Sequence, residues 1–120
     1  MTLELGRARV LPGAEHLAEE WMAMLNARQD ECVETLSVER SAFEGWFLHA
    51  EDDHTTWIYW VGLSGDGGAS MDVDSQLDAD HLAYARRVKE PGWERLRPMF
   101  MLTPDHIRAA LARWGDTGHE

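Results

Sequence analysis

His81 stands three residues after Asp78 and three before Tyr84, inside a stretch patterned as a helix, so the three side chains fall near one helical face. An imidazole beside a carboxylate and a phenol forms an acid/base constellation, because its pKa starts near neutrality and moves readily with its surroundings. Tyr59, in an aromatic strand-like run, is a second phenol able to donate to developing oxyanion charge. The plainer reading of His81 is a structural histidine near a helix start, exposed or hydrogen-bonded to its neighbours.

Arg7 and Arg9 alternate along a first strand, and Glu44 lies on a second, where it meets one of them if they point the same way. A guanidinium facing an apolar cavity needs a carboxylate, supplied either internally or by an anionic substrate. Trp46 and Trp60 share a face with Glu44 if the strand register permits, and then wall a pocket; otherwise they are core or dimer contacts. The acid-dense run Asp72 to His81 fails as a calcium loop, because Leu77 stands where the sharp turn needs glycine and Ala83 where the distal glutamate belongs. These acids read as partners of a helix dipole, and no metal is assigned. His49, His54, His106 and His119 form no helical metal pair, so only His49 or His81 qualifies as a haem ligand. Ser41, Ser64 and Ser70 lack the context of a nucleophile elbow.

The elements that must position these residues follow from periodicity. Residues 2–10 alternate as a strand and end at Pro12-Gly13. Residues 14–36 carry Leu17, Trp21, Met24, Leu25, Cys32, Val33 and Leu36 at helical spacing, with neither Pro nor Gly, which predicts one long helix. Residues 41–50 and 55–63 are two aromatic-rich strands joined by a short charged connection, as in a hairpin. The glycine-rich residues 64–68 form a loop whose spacing is not that of a dinucleotide-binding turn. Ser75 and Asp78 cap a helix over residues 75–90. Residues 95–102 make a fourth strand with Pro98 at an edge or bulge, and Thr103-Pro104 opens a last helix that Gly115 stops.

The order β-α-β-β-α-β plus a terminal helix predicts an α+β, ferredoxin-like antiparallel sheet: one domain over residues 1–115 and a flexible tail over 116–120. Both helices then cover one sheet face. Trp57, Tyr59, Val61 and Leu63 nevertheless alternate with Ile58 and Trp60, and Phe43 and Phe47 with Trp46 and Leu48, so neither face is polar. Two apolar faces predict a second subunit or a ligand over the outer one, and the expectation is a homodimer.

Eleven basic residues against 22 acidic ones give a net charge of −11, and no basic run exists to neutralise phosphates. That composition argues against nucleic acid and membrane surfaces as partners. A single cysteine, Cys32, precludes an internal disulfide, and the N-terminal residues lack an apolar leader, so a cytoplasmic protein is expected.

The run Arg7-Ala8-Arg9-Val10-Leu11-Pro12-Gly13, the segments Glu20-Trp21-Met22 and Glu34-Thr35-Leu36, the pair Tyr59-Trp60 and the residues His81, Leu82 and Tyr84 resemble a family of small bacterial proteins of uncharacterised function, over most of residues 3–102. Such proteins resemble the dimeric α+β barrel group, in which two ferredoxin-like subunits pack sheet to sheet and each holds a pocket between sheet and helices. The group includes cofactor-free monooxygenases of antibiotic biosynthesis, polyketide cyclases, sugar mutarotases and haem-binding members. The resemblance implies a fold and a pocket more firmly than an activity. The functional expectation is a homodimer that binds a small organic molecule without a cofactor, as an oxygenase, cyclase or isomerase of specialised metabolism if it is catalytic. His81 would then move a proton, Tyr59 or Tyr84 would steady an oxyanion, and Arg7 or Arg9 with Glu44, Trp46 and Trp60 would hold the substrate. The alternatives are a non-catalytic ligand-binding or structural dimer and, behind it, a haem-binding member of the same group.

Overall fold

A computed structural model describes residues 2–65 and 75–117. Asp72 to Asp74 and most of the glycine-rich loop lie outside the described residues, as do the last three positions of the expected tail. The chain runs β1 (Thr2–Arg9), α1 (Glu15–Ala27), α2 (Gln29–Glu39), β2 (Ser41–Ala50), β3 (Thr56–Ser64), α3 (Gln76–Val88), β4 (Glu94–Leu96) and α4 (Asp105–Thr117). The strands form one antiparallel sheet in the order β2-β3-β1-β4, an α+β architecture compatible with the ferredoxin-like arrangement.

Register decides the faces. Ala8 pairs with Ile58, Gly6 with Trp60, and Trp60 with Trp46, so these side chains share one face with Glu44. α1 and α3 cover that face. Trp21 of α1, Val88 of α3 and Ile58 of β3 are fully buried there, with Ala8, Val10, Ala14 and Ala18 filling the narrow spaces between them. Each large side chain so buried contributes about 2–3 kcal/mol of apolar transfer, so the contact of α1 and α3 with β1 and β3 is the main stabilising layer. Trp46 extends this core, its ring 5.2 Å from Trp21 and 5.5 Å from Trp93 in edge-on contacts.

Three expectations are corrected. The long helix over residues 14–36 is two helices, because Arg28 leaves helical geometry at φ −117 and ψ 36. Its guanidinium bonds Asp80 of α3 and Glu31, each at 2.7 Å, and its backbone N–H turns back to Leu25 O. α2 has no fully buried side chain on its described residues and makes its main contact with β2, so the break costs little packing. The fourth strand covers only Glu94–Leu96 and not residues 95–102. Pro98 has no N–H to extend the ladder, and beyond it Met99, Phe100 and Leu102 are 77%, 79% and 74% exposed. Finally, α4 passes through Gly115 to Thr117, two residues beyond the expected domain end. Ser75 does cap α3, accepting from the Asp78 backbone N–H at 3.4 Å.

The other sheet face carries Leu3, Leu5, Arg7 and Arg9 of β1, Trp57, Tyr59 and Val61 of β3, and Phe43 and Phe47 of β2. Phe43 and Phe47 are exposed on it. Of the strand tryptophans, Trp57 lies on this outer face, while Trp46 and Trp60 are on the helix side.

Candidate functional site

A cavity of about 350 Å³ opens between β2, α2 and the first turns of α3. Its apolar wall includes Met22, Leu25, Leu36, Leu77 and Trp46, and its polar groups include Glu39, Glu44, Asp78 and His81. The local sequence explains the convergence. The cap at Ser75 starts α3 so that Asp78 and His81, one turn apart, both face β2. Alternation along β2 places Glu44 and Trp46 on the same side, and Glu39 is the last residue of α2 before the chain turns into that strand.

His81 is held by a contact that its spacing does not announce. The buried Trp21 indole donates from Nε1 to His81 Nδ1 at 2.8 Å. An indole nitrogen only donates, so Nδ1 is the acceptor and the proton of the neutral ring sits on Nε2. Burial pushes the His81 pKa down to about 4, so the ring is neutral at pH 7. Among the described residues no buried side-chain nitrogen or oxygen lacks a hydrogen-bond partner, and the bond from Trp21 is the one hydrogen bond of the His81 ring. Nε2 is therefore not sealed in the core, and the ring to which it belongs lines the cavity. Trp46, with its ring 5.5 Å away and perpendicular, fixes the imidazole from the sheet side.

Burial and neighbouring charge raise two of the carboxyls across the cavity. Burial first, then repulsion from Glu44 and Asp78, pushes Glu39 up to about 7. Burial also raises Glu44, opposed by hydrogen bonds from the Trp60 and Trp46 indoles and reinforced by Asp78. Part of the Glu44 side chain remains open to solvent, which moderates that rise. Trp60 Nε1 lies 3.5 Å from Glu44 Oε2. Its ring leans over Gly62, where a Cβ would come within 2.8 Å of it, so only glycine allows this approach. No arginine or lysine is among the described residues lining the cavity. Arg28 stands just outside, clasping Asp80 and Glu31, while Gln76 adds a bond to Asp80 at 2.8 Å.

The expected site residues divide into two groups. His81, Glu44 and Trp46 come together in the cavity, and Trp60 supports Glu44 from beside it. Arg7 and Arg9 do not meet Glu44, because alternation turns them to the opposite face. Arg7 instead bonds Glu94 at 3.1 Å and lies 3.9 Å over the Trp57 ring. Tyr59 is on that same outer face, paired with Arg7. Tyr84 shares a helix with His81 but packs against the core cluster, with Arg87 over its ring, and does not line the cavity. Cys32 does line it, although burial raises its thiol pKa and makes it a poor nucleophile. Glu39 and the hydrogen-bonding role of Trp21 are additions to the sequence reading. Trp21 is patterned as a core residue and is one, and nothing in its spacing reveals which polar group its N–H meets.

Among the described residues no group of three histidine, cysteine or acidic side chains is placed to hold a metal ion. As a haem ligand His81 is a poor fit for a reason of tautomer, since its Nδ1 accepts from Trp21 and its other nitrogen carries the proton. No helix among the described residues is long and apolar enough to cross a membrane. Over residues 1–109 the chain matches a family described as a family of unknown function (DUF6176), and it belongs to that family. No curated protein and no solved structure matches it.

Proposed function

We propose that this protein is a homodimer of the α+β barrel type that binds a small, mostly apolar organic molecule between sheet and helices, and acts on it as a cofactor-independent isomerase or cyclase. The observation that carries this reading is the Trp21 to His81 hydrogen bond, which leaves the proton on Nε2 of a ring lining the same cavity as Glu39 and Glu44. A fixed donor facing titratable carboxyls supplies the parts of proton-transfer chemistry. Of the three expected reaction types, isomerisation and cyclisation need only such transfers. The cavity volume falls at the lower end for small-molecule sites and suits a compact ligand.

The dimer is supported by the outer sheet face, where Phe43 is 44% and Phe47 61% exposed beside Leu3, Leu5 and Val61. A second copy would bury these side chains. Native mass spectrometry of freshly purified protein tests both halves. The expected result is a dimer mass with a small organic molecule retained, with Phe47→Asp shifting the mass to monomer. A monomer at micromolar concentration contradicts the dimer.

A non-catalytic dimer is the second reading, favoured by the exposed run from Met99 to Leu102, which adds apolar surface remote in sequence from every cavity residue. Retained ligand lost on His81→Ala substitution favours the first reading. An empty cavity in both proteins favours the second.

A further inference from the structure

The chemistry of the cavity narrows the ligand further, on the premise that the cavity is a ligand site. His81 accepts from Trp21 through Nδ1, so its ring offers Nε2–H and no free lone pair. It cannot serve as the base; it can only donate, to an oxygen acceptor on the ligand. The groups able to take a proton are Glu44 and Glu39, which line the same cavity. Their negative charge, with Asp78 beside them and no cation among the described lining residues, repels an anionic ligand. Trp46, Leu25 and Leu36 ask for an apolar body.

We propose that the cavity takes a neutral ketone, whose carbonyl oxygen accepts from His81 Nε2–H while the Glu44 carboxylate removes a proton from the adjacent carbon. The C–H electron pair moves into the new C=C bond, and the carbonyl π pair moves to oxygen as an enolate held by the His81 donor. The Glu44 carboxylic acid then returns that proton to carbon or to oxygen; where Glu39 gives its own proton instead, it is reprotonated from solvent while Glu44 releases its proton to solvent, so both carboxyls end as they began. The sum is an isomerisation in which nothing is oxidised or reduced. A neutral histidine as electrophile opposite a carboxylate base is a known division of labour in enolisation. Glu39, with a pKa of about 7, retains enough of its proton at neutral pH to act as the donor.

The probe is β-tetralone, a neutral apolar ketone with acidic C–H beside its carbonyl. Binding is read from tryptophan fluorescence, and exchange at the carbon between carbonyl and ring is read by proton NMR in deuterium oxide. Wild-type protein is expected to bind it and to speed exchange about a hundredfold or more over an equal concentration of acetate. The rate should rise with pH as the Glu44 carboxyl ionises, above the ordinary carboxylate range, and then level off, instead of climbing steadily as hydroxide-driven exchange does. Glu44→Gln and His81→Leu should each lose at least about tenfold of the acceleration. Binding without acceleration overturns the proton transfer and leaves the ligand site standing. Absence of binding overturns both. The wild-type pH profile decides the base even if a variant fails to fold, because a steadily climbing rate excludes the carboxylate.

Discussion

Glu39→Gln should change how stability depends on pH, and the sign is fixed by the cavity. The glutamate ordinarily titrates at 4.5 and is pushed up to about 7 by burial and by the charges of Glu44 and Asp78. The folded protein therefore keeps a proton that the unfolded chain has already lost. Between those two values the native state binds more protons, so the Glu39 contribution is complete below about 4.5 and is lost as pH rises through about 7. At about 1.4 kcal/mol per pKa unit the ceiling is about 3 kcal/mol, and the partial exposure of Glu39 lowers the working figure to about 2 kcal/mol. Glutamine keeps the shape and cannot ionise. Urea denaturation of both proteins at about pH 4.5, 6 and 8 should show the stability of Glu39→Gln gaining on wild type by about 2 kcal/mol across the series. His81 acts in the opposite sense in both proteins, since its depressed pKa makes stability rise from about 4 to 6.5, and it cancels in the comparison. A difference that stays constant with pH would refute the buried carboxyl cluster.

Two substitutions probe the supports of the site. Trp21→Phe removes the indole donor from the core, and the lost hydrogen bond and volume should cost about 2–3 kcal/mol in denaturant titrations. The same variant should raise the His81 pKa toward the ordinary histidine range by NMR titration, because the smaller ring admits water to the imidazole and no longer donates to its neutral form. Gly62→Ala forces a methyl against the Trp60 ring and should cost about 1–3 kcal/mol, with altered Trp60 fluorescence as that indole leaves Glu44. A thermal midpoint equal to wild type would show that the ring does not lie over Gly62.

The element order, the hairpin and the cap of α3 were legible in the sequence because each rests on local signals: alternation, turn residues and the Ser75 to Asp78 spacing. Local signals also explain the errors. The break at Arg28 has no glycine or proline to announce it and is tied to a contact with Asp80, 52 residues away. β4 stops early because Pro98 weighs more than the apolar run that follows it. In the site, spacing brought Asp78 and His81 together, since one helical turn suffices. It did not separate Tyr84, which sits one turn further along and faces the core. Nor did alternation alone reveal which strand face the helices cover. That choice depends on the Trp46 and Trp60 register, and it sends Arg7, Arg9 and Tyr59 away from Glu44. Trp21 and Glu39 became site residues through tertiary contact alone.

The chemistry proposed for the cavity depends on which nitrogen of His81 carries the proton. Long-range proton–nitrogen NMR correlation distinguishes the two tautomers and the imidazolium, and comparison with His81→Gln assigns the signals among the six histidines. A neutral ring with protonated Nε2 and bare Nδ1, unchanged from about pH 8 down to about pH 5, is the predicted result. A proton on Nδ1, or an imidazolium already formed at about pH 6, would contradict it.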